Sequence, residues 1–174
     1  GSALADSSGQ GNSAAFATGT PTHVSAVRDY GLAFNGANSA DTDANFDPPP
    51  QGSVAFWLKP TAVPSSTNRL FGTSDAWETR LGSTGLLSCD IGVGGGITSN
   101  STFTSTVKWR HVVFNYNSIA DTYEMYVDGA LEKSGGLTGS DQPAGILTFG
   151  TRTGSTNYYN GSLDRYLDWA DQAA

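Results

Sequence analysis

Charged residues are scarce in this chain. Asp, Glu, Lys and Arg together make up 14% of its 174 residues, against about 25% in a typical globular protein. No apolar run in the sequence approaches the roughly 18 residues that span a membrane, so membrane insertion is not expected. Cys89 is the only cysteine. An intrachain disulfide is therefore excluded, and this lone thiol within a predicted strand is expected to be buried and inert.

Positive charge is the scarcer sign. Nine Lys and Arg residues stand against 16 Asp and Glu residues, which gives a formal net charge of −7. Such a surface repels a phosphate backbone, so nucleic acid is not an expected partner. Carboxylates accompanied by many Asn, Ser and Thr side chains suit neutral polyols or a bound cation instead.

Turn-forming residues are abundant, with 22 Gly and 7 Pro, and strong helix formers are few. Two segments alternate with the two-residue period of a half-buried strand: Ser53–Lys59, with Val54, Phe56 and Leu58 on one face, and 109–117. No segment has the pattern of a long amphipathic helix. We therefore predict one all-β domain over residues 1–174, an antiparallel sandwich or barrel, with residues 1–12 as a candidate loose arm.

Further strands and one long loop are predicted along the chain. Short strands are expected near 13–18, 31–36, 69–73, 77–81, 86–91, 123–127, 131–133, 146–149 and 163–169. Residues 37–52 are expected to form a polar loop, since its three consecutive prolines exclude a helix or a central strand. Asp41, Asp43 and Asp47 in this segment lack the glycine and the final Glu of an EF-hand, so we expect solvated side chains there.

Six segments, in the correct order, resemble the motifs of the laminin-G-like, concanavalin A-like lectin/glucanase superfamily. They are Ala5–Asn12, Tyr30–Gly36, Ser53–Pro60, Trp109–Phe114, Met125–Gly129 and Tyr159–Asp164. The resemblance implies a jelly-roll sandwich of two curved antiparallel sheets. It also implies a range of functions, namely glycan binding, cell adhesion and accessory modules beside glycanases, so the fold alone does not give the activity.

The same resemblance implies a structural calcium ion. In the superfamily, the ligands are often the Asp of the closing strand, a carbonyl of the turn after the first conserved strand, and a carbonyl near the N-terminus. The matching positions are Asp164, Asn35 or Gly36, and Asp6. Carboxylate and carbonyl oxygens are the ligands that calcium prefers.

Two clusters combine aromatic rings with polar side chains, as a sugar-binding surface requires. The ring stacks on the apolar face of a sugar, and the polar groups bind its hydroxyls. The first cluster contains Asp75, Trp77 and Arg80, and the second contains Asn157, Tyr158 and Tyr159. We expect these residues to form a glycan site on the concave sheet or at loop tips.

Catalytic carboxylates are not evident. The glucanase branch of the superfamily carries its pair as Glu-x-Asp-x-Glu, but here Glu78, Glu124 and Glu132 each lack an acidic residue two positions away. The expected function is therefore a non-catalytic lectin-like or adhesion module that recognises a glycan or glycoprotein and acts outside the cell or at its surface. Two alternatives stay open: a structural or protein-interaction domain of an extracellular or virion protein, and a diverged glycan-active enzyme.

Overall fold

The structure of the chain is a computed structural model. It describes residues 5, 13–27, 30–74, 77–92, 96–104, 106–137 and 144–170, with the backbone alone for Ala44 and residues 166–170. These residues form strands, turns and bends but no helix. Within them, accordingly, no helix is long and apolar enough to cross a membrane.

Fourteen strands follow one another in the part of the chain that the structure describes. They are β1 (Ala14–Thr18), β2 (Thr22–Ser25), β3 (Tyr30–Asn35), β4 (Ser39–Phe46), β5 (Gln51–Pro60), β6 (Asn68–Ser74), β7 (Trp77–Leu81), β8 (Leu86–Ile91), β9 (Gly96–Thr102), β10 (Arg110–Asn117), β11 (Thr122–Val127), β12 (Ala130–Gly136), β13 (Gly145–Phe149) and β14 (Asn160–Ala170).

The strands form two seven-stranded antiparallel sheets. The first sheet has the order β1-β4-β13-β6-β7-β8-β9, and the second has the order β12-β11-β10-β5-β14-β3-β2. Neither sheet closes into a barrel, so the structure confirms an all-β sandwich and decides between the two architectures that the sequence left open. Strands distant in sequence are neighbours in both sheets, as in a jelly roll.

The hydrophobic core lies between the two sheets. The alternating residues predicted on β5 are buried, with Val54, Phe56 and Leu58 all at or below 3% exposure. Phe114 on the neighbouring β10 is also buried. From the first sheet, Phe71 packs edge-on against Phe56 at 5.0 Å between ring centroids. The aromatic side chains of the two sheets therefore meet in one continuous core.

Side-chain hydrogen bonds join the sheets where edge strands β9 and β12 approach each other. The Glu132 carboxylate accepts hydrogen bonds from the amide and the hydroxyl of Ser101. Asn100 Nδ2 donates to the Glu132 carbonyl at 2.9 Å, and Lys133 Nζ donates to the Thr98 carbonyl at 3.0 Å. The charged side chains of Glu132 and Lys133 therefore lie at the edge of the sandwich, where an uncovered strand could pair with another chain.

The prediction of a loop over residues 37–52 was wrong, because β4 occupies residues 39–46 in the first sheet. Ala40 and Thr42 face the core, and Asp41 and Asp43 lie on the opposite face. Asp43 is exposed as expected, whereas Asp41 is half-buried. Small and polar residues give this strand a weak alternation signal, and pairing on both sides stabilises it. Strands β2 and β9 were missed for the same reason.

We expect replacement of Leu58 by Ala to destabilise the domain by about 2–5 kcal/mol, since the side chain is fully buried and its loss leaves a cavity. The matched control is Leu131→Ala, whose side chain is 56% exposed, and its cost should be below about 0.5 kcal/mol. Urea denaturation of both variants measures the free energy of unfolding. Similar losses in the two variants would contradict the assignment of the core.

Candidate functional site

Alternation along β7 separates its side chains between the core and the outer face of the first sheet. Trp77, Thr79 and Leu81 face inward and are buried, so Glu78 and Arg80 face outward. The Glu78 side chain is nevertheless only 2% exposed. Neighbouring side chains therefore cover a carboxylate that the strand directs away from the core.

Three guanidinium groups surround this carboxylate. Arg69 Nε donates to Glu78 Oε2 at 2.7 Å, and Arg80 Nη1 donates to Glu78 Oε1 at 2.7 Å. Arg152 Nε lies 2.8 Å from Oε2, in an ion pair without hydrogen-bond alignment. Arg80 Nη1 also contacts the carboxylate of Asp90. We call these five residues the arginine–carboxylate cluster.

The register of the sheet places the two carboxylates of the cluster side by side. Glu78 is the direct partner of Asp90 on β8 and of Gly72 on β6. A Cβ atom at Gly72 would lie 2.8 Å from Glu78 Cβ and 2.7 Å from the Trp77 carbonyl oxygen. Only glycine therefore lets the two strands approach this closely beside Glu78.

The connection between β13 and β14, residues 150–159, brings distant residues to the cluster. Its backbone is held against β6, because the Arg69 amide donates to the Asn157 carbonyl at 2.9 Å and the Gly150 amide donates to the Leu70 carbonyl at 2.7 Å. Tyr158 forms a parallel bridge with Arg69, which pairs on its other side with Arg80. The backbones of Tyr158 and Arg80 are thus two strand spacings apart, about 10 Å.

The structure brings three of the predicted glycan-binding residues to this one surface. Arg80 and Tyr158 are half-buried and Asn157 is exposed. Trp77 and Tyr159 are instead 2% and 0% exposed and belong to the core. Neither ring can stack on a ligand there, so their inclusion in the site is corrected. Alternation along β7 turns Arg80 outward and Trp77 inward, and Tyr159 is buried next to the half-buried Tyr158. Asp75 lies outside the described residues.

The predicted calcium ligands do not converge. Asn35 pairs with Asn160, whereas Asp164 lies beside Gly31, whose added Cβ would be 3.2 Å from Asp164 Cβ. Four residues of strand, about 13 Å, therefore separate Asn35 and Gly36 from Asp164. Ligands of one calcium ion each lie about 2.3–2.6 Å from it, so these residues do not fit a shared site.

A hydrogen bond within the protein engages the predicted carboxylate ligand. Asp164 Oδ2 accepts from the Val27 amide at 3.2 Å. Asp6 lies outside the described residues. In the described part of the chain, no three His, Cys, Asp or Glu side chains are grouped so that they could hold a metal ion.

Sequence reasoning missed Arg69, Asp90 and Arg152, and it treated Glu78 as an isolated strand carboxylate. The hairpin turn Gly82–Gly85 was a usable signal, because it sets β7 against β8 and so places Glu78 near Asp90. The signal is ambiguous, since a shift of one residue moves every side chain to the other face. No signal connected Arg152 with Glu78, because these residues are far apart in sequence and meet only through the fold.

Comparisons with known proteins give a family and a set of structural neighbours. A family model described as the concanavalin A-like lectin/glucanases superfamily matches residues 29–170. A search of curated protein sequences found no match. Domain 4 of AbnA, a GH43 extracellular arabinanase from Geobacillus stearothermophilus, solved in complex with arabinotriose, superposes with a TM-score of 0.74 at 17% identity, covering 95% of this chain and 85% of that domain.

Two other neighbours share the fold at similarly low identity. The heptameric SAP-like pentraxin of Limulus polyphemus has a TM-score of 0.64 at 16% identity, with 84% of this chain and 78% of the pentraxin covered. The binding domain of botulinum neurotoxin DC in complex with SialylT has a TM-score of 0.67 at 13% identity. That match covers 94% of this chain but only 44% of the toxin domain.

The Glu78→Gln variant should be destabilised by about 3 kcal/mol, because it leaves partly buried guanidinium groups without their counter-charge. Glu124→Gln is the matched control. Glu124 is half-buried and accepts one hydrogen bond, from Tyr126 at 2.9 Å, so its loss should be below about 1 kcal/mol. Chemical denaturation compares the two. Equal stability of Glu78→Gln and the unchanged protein would show that the cluster does not stabilise the sheet.

Cys89 should be unreactive in the folded protein. Burial raises the pKa of its thiol from 9.0 to about 12, so almost no thiolate exists at pH 8. We expect no reaction with Ellman's reagent at pH 8 until denaturant is added. Because the unfolded thiol ionises near pH 9.0, the stability that this group contributes is complete below that pH and is lost as the pH rises toward 12. Rapid stoichiometric labelling of the native protein would contradict the assignment.

Proposed function

The chain belongs to the concanavalin A-like lectin/glucanases superfamily, and from that premise we propose that it is a non-catalytic glycan-binding module. The binding surface is the outer face of the first sheet, around Arg80, Asn157 and Tyr158. The observation that carries the proposal is their convergence: two polar–aromatic segments far apart in sequence meet beside Arg69.

This surface has the groups that sugar recognition requires. Tyr158, half-buried beside Arg69, supplies an aromatic ring for the apolar face of a sugar, and Arg80 and Asn157 supply hydrogen-bonding groups near it. The ion pairs of Arg80 and the backbone bonds of residues 150–159 hold these groups in place before a ligand arrives. Preorganisation of this kind reduces the entropic cost of binding.

The state of the carboxylates supports binding without catalysis. Glycoside hydrolysis needs two carboxyl groups that reach the substrate, about 5–9.5 Å apart. Glu78 and Asp90 are direct cross-strand partners, but both oxygens of Glu78 contact guanidinium groups and its side chain is 2% exposed. A carboxylate held in this way positions arginine side chains and does not face a ligand.

The structural neighbours support the same proposal at the level of function class. The arabinanase domain was solved with arabinotriose bound, and its parent enzyme is extracellular. We extend this to a glycan or glycoprotein partner and to a location outside the cell or at its surface. The net charge of −7 disfavours nucleic acid as a partner.

The test is a glycan array probed with the purified domain, followed by affinity measurement on the strongest ligand. Tyr158→Ala should weaken binding by about tenfold, the equivalent of one stacking contact. Tyr126→Ala is the matched control, because Tyr126 is a half-buried tyrosine on a strand of the second sheet. Thermal unfolding of both variants verifies that they are folded.

Two outcomes would overturn the proposal: no glycan bound by the folded domain, or equal weakening by both tyrosine substitutions. Repeating the array with EDTA measures any dependence on calcium separately. Hydrolysis of a bound glycan during incubation would favour the enzyme alternative.

A further inference from the structure

Arg80 differs from the other arginines of the cluster in how its guanidinium is used. Its Nη1 atom donates to Glu78 Oε1 at 2.7 Å and contacts Asp90. Among the described residues, Nε and Nη2 of Arg80 donate no further hydrogen bond. The side chain is 33% exposed, about twice the 15% of Arg69 and of Arg152.

Arg80 is therefore fixed at Nη1, while the edge formed by its Nε and Nη2 atoms is open to a ligand. The Nε–Nη2 edge of a guanidinium carries two parallel N–H groups, the geometry that binds both oxygens of a carboxylate at once. Since Nη1 is anchored, the open edge has lost much of its rotational freedom before binding. Less entropy is then lost when a planar anionic group docks on it.

The local charge favours the same type of ligand. Arg80 carries its positive charge at the open edge, beside the two carboxylates that hold its Nη1 atom. A neutral hydroxyl could accept a hydrogen bond from Arg80, but only an anion also gains from the charge.

We propose that the glycan bound at this surface carries a carboxylate, as in a uronic or sialic acid residue, and that Arg80 is the residue that selects it. The carboxylate docks on the Nε–Nη2 edge of Arg80, and an adjoining sugar extends toward Tyr158. Glu78 acts as a positioning residue that holds Arg80 in place. This inference rests on the proposed glycan-binding function and specifies the class of its ligand.

The experiment uses an array on which each uronate- or sialate-containing glycan is printed beside its carboxyl-reduced counterpart. The unchanged domain should bind at least one acidic glycan about tenfold or more tightly than the reduced form, as expected for a charge-assisted bidentate contact. Raising the salt concentration should weaken this binding.

Arg80→Lys tests the residue assignment, because it keeps the positive charge and removes the two-pronged edge. We expect it to abolish the preference for the acidic form while weak binding to both forms remains. Arg110→Lys is the matched control. Arg110 also pairs with a carboxylate, its Nε lying 2.5 Å from Asp128 Oδ2, but on the second sheet, so the preference should persist.

The outcomes separate this inference from the proposed function. Equal affinity for acidic and reduced glycans would overturn the inference and leave the glycan-binding function standing. No binding to either form by the folded domain would overturn both. A preference retained in Arg80→Lys would overturn the role of Arg80. The comparison of ligands uses only the unchanged protein, so the inference stays falsifiable if Arg80→Lys does not fold.

Discussion

The Glu78 carboxylate faces outward because Trp77 and Thr79, its neighbours on β7, are buried between the sheets. This division of each strand into a core face and an outer face is the constraint on which the rest of the structure depends. It places large rings such as Trp77 and Phe71 in one continuous core. The same division assembles the arginine–carboxylate cluster on the opposite side.

The cluster couples stability and function through one carboxylate. Removing a charge from water costs free energy, and three guanidinium groups offset that cost for Glu78. Two of these arginines come from β6 and β7, and the third comes from the connection between β13 and β14. The carboxylate therefore holds together parts of the chain that surround the proposed glycan site. Such a network adds little stability relative to an apolar replacement of all its members, but loss of the central carboxylate alone leaves buried charge uncompensated.

The strong strands and the family were predictable from sequence. Val54, Phe56 and Leu58 alternate clearly, and six motifs in order identified the superfamily, which the family match over residues 29–170 confirms. Strand β4 was not predictable, because Ala40 and Thr42 carry little hydrophobic signal and the strand is held by partners on both sides. Register was not predictable for the proposed calcium ligands either, since Asn35 and Asp164 lie at different heights along the sheet.

Some features of the candidate site were likewise predictable from sequence, and others depended on the tertiary structure. Local sequence determined that two segments combine polar groups with aromatic rings, and that Arg80 and Tyr158 belong to them. It could not determine which ring is exposed, because a shift of one residue exchanges the faces of a strand and sends Trp77 or Tyr159 inward. Only the tertiary structure decided that Arg152 meets Glu78, since this contact joins residues that are far apart along the chain. Arg69 is nine residues before Glu78 and reaches it through the pairing of β6 with β7. The alternation of side chains between the two faces of a strand depends on neighbouring residues, whereas the pairing of distant strands depends on how the whole chain packs.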